Sequence, residues 1–379
     1  MAPRVMISCG EPSGDLYAGA LVRALGGATD AFGFGGDHFR AAGGDLVGDY
    51  RGFSVTGLTE ALSVVRRSWV MLGSLTEAAR TRRPDVFVAI DFPDFNFRLL
   101  PRIKALGIPI VYYISPQLWA WRPGRLNTLK QYVDHMMVIF PFEERIYRDA
   151  GIPVTFVGHP LIDLAVAQRS REETCRAAGL NPARPVVALL PGSRPNEVRL
   201  LMSVLADAAR LLTTSLPDVQ FLVARAPSLD DHLFAPLEVL RASGVAVGLL
   251  ADGADDVLAA ADVVITASGT ATVQTALHGK PMVIVYRVSG LTYAIARRAV
   301  KLPHYGMVNL VAERSIVPEL IQADCTPERV SEEIKALLVD EARAARMRAD
   351  LADVVQRVGG PGASERAADV VRATARVQR

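Results

Sequence analysis

Short apolar runs alternate with longer stretches of helical period along most of the chain. In the first half the runs are Val5 to Ser8, Val86 to Ile90, Ile110 to Ile114, Met136 to Ile139 and Val154 to Val157. They are too short for helices and apolar at consecutive positions, so they predict strands covered on both faces. Between them Leu16 to Leu25, Ser74 to Arg82 and Phe97 to Leu106 read as helices. The second half repeats the scheme with strands at Val186 to Leu190, Gln220 to Val223, Val245 to Leu249, Val263 to Thr266 and Met282 to Val285. Strands that alternate with helices predict parallel sheets with crossover connections, and a chain of 379 residues is long enough for two such cores. The expectation is two doubly wound α/β domains. Their boundary falls between Pro160 and Pro185, where Gln168 to Glu173 is charged and a new strand series begins. That assigns 1–168 to the first domain, 169–350 to the second and 351–379 to a helical tail. Gly359-Gly360-Pro361-Gly362 breaks the tail, so its last segment is expected to pack elsewhere, on the first domain.

Two stretches are amphipathic and basic. From Val55 to Arg83 the residues Leu58, Leu62, Val65, Trp69, Leu72 and Leu75 recur at helical spacing, with Arg66, Arg67, Arg80, Arg82 and Arg83 around them. Leu291 to Leu302 carries Arg297, Arg298 and Lys301. Such surfaces suit acyl chains or an anionic membrane interface, and a helix packed on a sheet has the same pattern. No run approaches the roughly 20 apolar residues that span a bilayer. The apolar stretch before Gly10-Glu11 is too short for a signal-peptide core, so peripheral membrane contact is the expectation.

Composition narrows the classes. Half of the residues are hydrophobic, 22% are charged and the formal charge is +2, which argues against both disorder and a nucleic-acid polycation. Cys9, Cys175 and Cys325 are odd in number and far apart, which fits neither a disulfide framework nor a zinc motif, and a reducing cytoplasm is the expected compartment. The six histidines show no ligand spacing, so no metal is implied. Gly33-Phe34-Gly35-Gly36 is only a fragment of a dinucleotide fingerprint, and no Walker sequence occurs.

The unusual polar residues fall just past the predicted strands, where open parallel sheets bind ligands. Ser8-Cys9-Gly10-Glu11-Pro12-Ser13-Gly14-Asp15 follows the first strand. Asp15 reads as the N-cap of a helix from Leu16, and Glu11 and Ser13 are candidates for substrate contact as well as plain loop residues. Asp91 follows Val86 to Ile90 directly, and a carboxylate at the mouth of an apolar strand is a candidate proton acceptor. Asp94 competes for that role, and the pair reads equally as a turn and an N-cap for a helix from Phe97. Ser115 to Arg122 includes Trp119 and Trp121, which with Arg122 can stack on a sugar or base or pack in a core. His159, closing the last strand of the first half, reads as structural.

Two turns in the second half combine into a divided anion site. Val186 to Leu190 runs into Pro191-Gly192-Ser193-Arg194, and Val263 to Thr266 into Ala267-Ser268-Gly269-Thr270 with a helix after it. Helix N-termini expose unpaired N–H groups, and a guanidinium pairs phosphate oxygens bidentately. A diphosphate, and hence a nucleotide-activated substrate, fits such a pair of turns.

In order and spacing these segments resemble the lipid-A-disaccharide synthase family of inverting glycosyltransferases. The resemblance runs through nearly the whole chain. It rests on Gly10 to Asp15, Pro84 to Phe87, Ile90 to Asn96, Ser115-Pro116, Trp119 to Arg122, Phe140 to Glu143, Val157 to His159, Leu189 to Arg194 with Glu197-Val198, Ala267 to Ala271, and Asn309-Leu310. It implies the GT-B fold, two Rossmann-like domains facing across a cleft. It also implies transfer of 2,3-diacylglucosamine from UDP-2,3-diacylglucosamine to 2,3-diacylglucosamine 1-phosphate, forming a β-1,6 disaccharide and UDP with inversion and without a metal or redox cofactor. The expected setting is the cytoplasmic face of the inner membrane, and a homodimer is an open expectation. Asp91 then corresponds to the family's essential acidic residue, Arg194 to its phosphate-loop arginine and Asn309 to a motif asparagine near the donor. Gly192, Ser193, Ser268, Gly269 and Thr270 complete the donor set. Family members commonly carry Glu where this chain has Gln274, a position that grips ribose hydroxyls in folds of this class.

Two other readings compete. A UDP-N-acetylglucosamine 2-epimerase-like isomerase shares two Rossmann-like domains and a nucleotide site but needs no amphipathic surface. A non-catalytic lipid or nucleotide binder would keep the fold without needing Asp91, Arg194 and Ser268 to Thr270 together.

Overall fold

A computed structural model describes residues 3–53, 58–116, 123–290 and 303–376. Trp119, Trp121, Arg122, Val55 and the stretch 291–302 with Arg297 lie outside the described residues, as do the side chains of Leu58 and Leu62. The chain divides into two compact units, Met1–Pro160 with Val358–Arg379, and Leu161–Arg357.

In the first unit β1 (Arg4–Cys9), β2 (Asp30–Gly35), β3 (Asp45–Asp49), β4 (Val86–Ile90), β5 (Ile110–Tyr113), β6 (His135–Val138) and β7 (Val154–Phe156) form one sheet. Its order is β3-β2-β1-β4-β5-β6-β7, with every pairing parallel. Val86, Phe87, Val88, Ala89 and Ile90 are all fully buried because helices cover both faces of the central strands. Full burial of the Val, Phe and Ile side chains contributes about 1.5–3 kcal/mol each.

β2 and β3 are absent from the hydropathy reading. β2, Asp-Ala-Phe-Gly-Phe-Gly, has glycines where β-branched residues would signal a strand, so the supposed dinucleotide fragment is the end of a strand. Gly33 needs no side chain there: a Cβ would come 1.9 Å from the Ile7 carbonyl oxygen on β1.

In the second unit β8 (Val186–Leu190), β9 (Gln220–Arg225), β10 (Val247–Ala251), β11 (Val263–Ala267), β12 (Met282–Tyr286) and β13 (Glu319–Ile321) form a parallel sheet ordered β10-β9-β8-β11-β12-β13. β13, three residues with a glutamate at its start, gave no apolar run. Both sheets are doubly wound, with the reversal of strand order between β1 and β4 in one and between β8 and β11 in the other.

The tail forms helices Pro327–Val339, Glu341–Arg357 and Ala363–Arg376. The last lies in the first unit, where Arg366 donates to the Val157 carbonyl and Arg372 to the Ala24 carbonyl. The long helix Leu58–Arg82 divides its apolar residues: Leu72, Leu75 and Ala79 are fully buried, while Val65, Trp69 and Val70 are at least half exposed. No helix among the described residues is long and apolar enough to cross a membrane.

Candidate active site

Each switch point collects the predicted polar residues of its own unit. In the first, Cys9 pairs with Ile90, so Gly10-Glu11 and Asp91 leave adjacent strands at the same level. Glu11 is the N-cap position of helix Pro12–Leu25 and Ser13 lies in its first turn, both half-buried. A Cβ on Gly10 would meet the Phe92 ring at 2.3 Å, so glycine lets the two loops close on each other.

Asp15 is not the cap expected. The helix starts at Pro12, and the Asp15 carboxylate, 1% exposed, accepts from the backbone N–H groups of Gly36 (2.7 Å), His38 (2.9 Å) and Phe39 (3.0 Å). It caps the following helix Asp37–Ala41 instead. The sequence offset suggested a local cap; the partner lies about twenty residues away, across β2.

Asp91 and Phe92 are both left-handed, with φ of 43° and 48°, and the β-branched Ile114 beyond β5 has φ 64°. Each such non-glycine conformation costs about 1–3 kcal/mol and persists only where neighbours enforce it. The Asp91 N–H donates to the Tyr113 carbonyl, while its carbonyl accepts from Tyr112 Oη (2.7 Å) and Asn96 Nδ2 (2.8 Å). Asn96 Oδ1 in turn accepts from Ser8 Oγ at 2.7 Å. The backbone of Asp91 is pinned by β5 and by helix Pro93–Lys104, whose Asn96 is braced from β1, and its half-buried side chain stands past the end of β4. Burial, with the nearby Asp91 charge, pushes the Tyr17 and Tyr112 hydroxyls well above the usual tyrosine range, so both stay protonated, and Tyr112 keeps its proton for the Asp91 carbonyl.

Asp94, the competing carboxylate, is 79% exposed on its side chain and pairs with Arg125 at 3.1 Å. It lies in the first turn of helix Pro93–Lys104, whose N-cap is Phe92 rather than an acid. Ser8, Asn96 and Tyr112 were not singled out from the sequence. The signal for Ser8 and Tyr112 is polarity inside otherwise apolar strands, whereas Asn96 sits among charged residues of its helix. His159 is 1% exposed and its imidazole is pushed down to about 3 by burial, which keeps it neutral.

In the second unit Thr266 pairs with Leu190, which brings Pro191-Gly192-Ser193-Arg194 beside Ala267-Ser268-Gly269-Thr270. Arg194 is the N-cap of helix Pro195–Ser215, its side chain 63% exposed and 3.4 Å from Glu197. Gly192 has φ 114°, and a Cβ there would come 2.6 Å from the Glu197 carboxylate. Gly269 (φ 147°) is the N-cap of helix Thr270–Leu277, and Ser193, Gly269 and Thr270 are exposed. Two helix N-termini therefore flank the switch point with a guanidinium at one of them.

Ser268 and Asn309 sit differently from expectation. The Ser268 hydroxyl donates to the Tyr305 carbonyl at 2.9 Å, so its proton is already engaged. Asn309 is fully buried; Nδ2 donates to the Val317 carbonyl and Glu319, and Oδ1 accepts from the N–H groups of Ile316 and Val317. Glu319 also takes the Tyr305 and Gly306 N–H groups at 2.9 Å each. Asn309 and Glu319 together hold the loop that anchors Ser268. Glu319 was missed because nothing in the sequence links it to Asn309.

Gln274 is half-buried on helix Thr270–Leu277 and donates through Nε2 to Asp255 at 2.8 Å. Among the described residues no group of three or more His, Cys, Asp or Glu is placed to hold a metal ion.

Comparison with known proteins places this geometry. The family model described as lipid-A-disaccharide synthetase matches residues 5–374. The lipid-A-disaccharide synthase of Syntrophus aciditrophicus is 44% identical over 367 residues, covering 96% of each chain. That of Geobacter metallireducens is 43% identical over 371 residues, covering 97% of this chain and 96% of the relative. Among solved structures, a Neisseria meningitidis UDP-GlcNAc 2-epimerase bound to UDP-GlcNAc superposes with a TM-score of 0.67 at 12% identity, over 97% of this chain and 99% of its own. The calicheamicin glycosyltransferase does so with a TM-score of 0.61 at 18% identity, over 100% of both chains. At those identities the two structures share the fold alone.

Proposed function

Because the chain belongs to the lipid-A-disaccharide synthase family of glycosyltransferases, we propose that its two switch points divide one transfer reaction between them. The donor is UDP-2,3-diacylglucosamine and the acceptor 2,3-diacylglucosamine 1-phosphate. The second unit holds the UDP: Arg194 pairs the diphosphate, and the N–H groups at Gly192-Ser193 and Gly269-Thr270 receive the charge that develops as it leaves. Ser268 and Asn309 keep the second turn in place, Asn309 through the loop that it fills. The Gln274 amide oxygen accepts from the ribose.

In the first unit Asp91 is the general base. It draws the proton from the acceptor 6-hydroxyl as that oxygen attacks the anomeric carbon, and a single displacement inverts the configuration. Glu11 and Ser13, beside it at the same switch point, contact the acceptor. Trp121 and Arg122 remain candidates for substrate contact on their sequence alone.

One observation carries the reading. Asp91 stands at a switch point in a left-handed conformation, pinned by Tyr112, Asn96 and Ser8. Strain enforced by buried hydrogen bonds is characteristic of a residue placed for chemistry. Peripheral contact with the cytoplasmic face of the inner membrane, where both acylated substrates reside, fits the exposed Val65, Trp69 and Val70 beside Arg66 and Arg67.

The test is incubation of the purified protein with both acylated substrates and mass detection of the disaccharide. UDP release that requires the acceptor supports transfer. Activity on UDP-N-acetylglucosamine alone, without acceptor, would support the epimerase reading in its place.

A further inference from the structure

Gln274, which the donor-site reading sets against the ribose, ends in an amide, and an amide presents either a donor or an acceptor to a ligand. The surroundings of Gln274 remove that ambiguity. Asp255, in the first turn of helix Ala254–Ala260, puts Oδ1 2.8 Å from the Gln274 side-chain nitrogen. A carboxylate only accepts, so the NH2 group must face it and the carbonyl oxygen must face away.

The same Oδ1 lies 2.8 Å from His278 Nε2, one helical turn after Gln274. The imidazole and carboxylate are largely buried, with side chains 11% and 23% exposed. This contact holds the carboxylate over the face of helix Thr270–Leu277 that carries Gln274. Lys280 Nζ donates to the carbonyls of Ala259 and Ala261 at the other end of helix Ala254–Ala260 and fixes the two segments at a second point. Among the described residues no group donates to the Gln274 amide oxygen.

We propose that Asp255, held by His278, is a positioning residue that locks the Gln274 amide with its oxygen outward, so that the glutamine serves as an acceptor-only ribose contact. The inference rests on the donor-site reading of the second unit.

The experiment compares the affinity of the full-length protein for UDP and for 2′,3′-dideoxyuridine diphosphate by calorimetry, with disaccharide formation measured on the same preparations. Wild type should favour UDP by about three- to tenfold, the worth of one hydrogen bond. Asp255→Ala should lose that preference by weakening UDP binding while dideoxy affinity stays within about twofold, and should raise KM for the donor more than it lowers kcat. The Asp255→Asn, Gln274→Glu double variant should restore the preference, because the asparagine amide then donates to a fixed carboxylate. A merely structural Asp255 would weaken both nucleotides together and would not be rescued. Asp255→Ala with the wild-type preference intact would overturn the inference. A wild type that makes disaccharide but does not discriminate the ribose would overturn it while leaving the transferase reading standing.

Discussion

Removing the Asp15 carboxylate is expected to unlock the segment Asp30–Ala41 of the first unit. Three backbone N–H groups end on this one side chain, at 2.7, 2.9 and 3.0 Å, and the group is 1% exposed. In Asp15→Ala those donors lose their partner. Each buried orphan costs about 1–3 kcal/mol, so the lower end alone gives about 3 kcal/mol. Asp15→Asn is milder because its oxygen can still serve Gly36 and Phe39, the two donors on Oδ1, and sets an NH2 only against the His38 N–H. About 1–2 kcal/mol follows for one mismatched donor. Hydrogen exchange read on the peptide covering Gly36 to Phe39, alongside urea unfolding, measures both. Protection there should fall by about hundredfold in Asp15→Ala and about tenfold in Asp15→Asn. A loss under about 1 kcal/mol in Asp15→Ala, or an asparagine variant worse than the alanine, would refute the reasoning.

Arg194→Ala should raise KM for the UDP-sugar by about ten- to hundredfold, the worth of a charge-assisted bond, with Arg194→Lys between it and wild type; an unchanged KM would remove Arg194 from the diphosphate. His159 makes stability depend on pH. Its native imidazole is pushed down to about 3 by burial, so below the unfolded value near 6.5 only the unfolded chain takes the proton. Its contribution is intact above pH 6.5 and declines by about 1.4 kcal/mol per unit towards pH 3, so His159→Gln should show a shallower loss between pH 6.5 and 5 in unfolding titrations, and an identical slope would contradict this. Replacing Val65, Trp69 and Val70 together by Ser should weaken binding to anionic phospholipid vesicles by tenfold or more in a flotation assay; equal binding would move the membrane contact elsewhere.

The central strands β1, β4, β8 and β11 were readable because strands covered on both faces are continuous apolar runs, and the polar residues just past them stood out against that background. β2, β3 and β13 were not, since glycines, acids and shortness hide them from any hydropathy period. The division of Leu58–Arg82 into a buried face at Leu72 and Leu75 and an exposed patch at Val65, Trp69 and Val70 was also invisible, because both alternatives share one spacing. What sequence offsets cannot carry is the long-range hydrogen bond. Asp15 reaches Gly36, Asn309 reaches Glu319 and Asp255 reaches Gln274 only once the sheets have formed. Residue chemistry therefore nominated Asp91 and Arg194 from their places, whereas the groups that hold the site in shape needed coordinates.

Transfer depends on Asp91 as the base of a single displacement. The most direct measurement is kcat for disaccharide formation by Asp91→Asn across pH 6 to 9, with UDP affinity and thermal unfolding recorded on the same protein. The expected result is a kcat lower by about 10²- to 10⁴-fold, an unchanged UDP affinity and an intact melting transition. Near-normal turnover in a folded Asp91→Asn protein would contradict it.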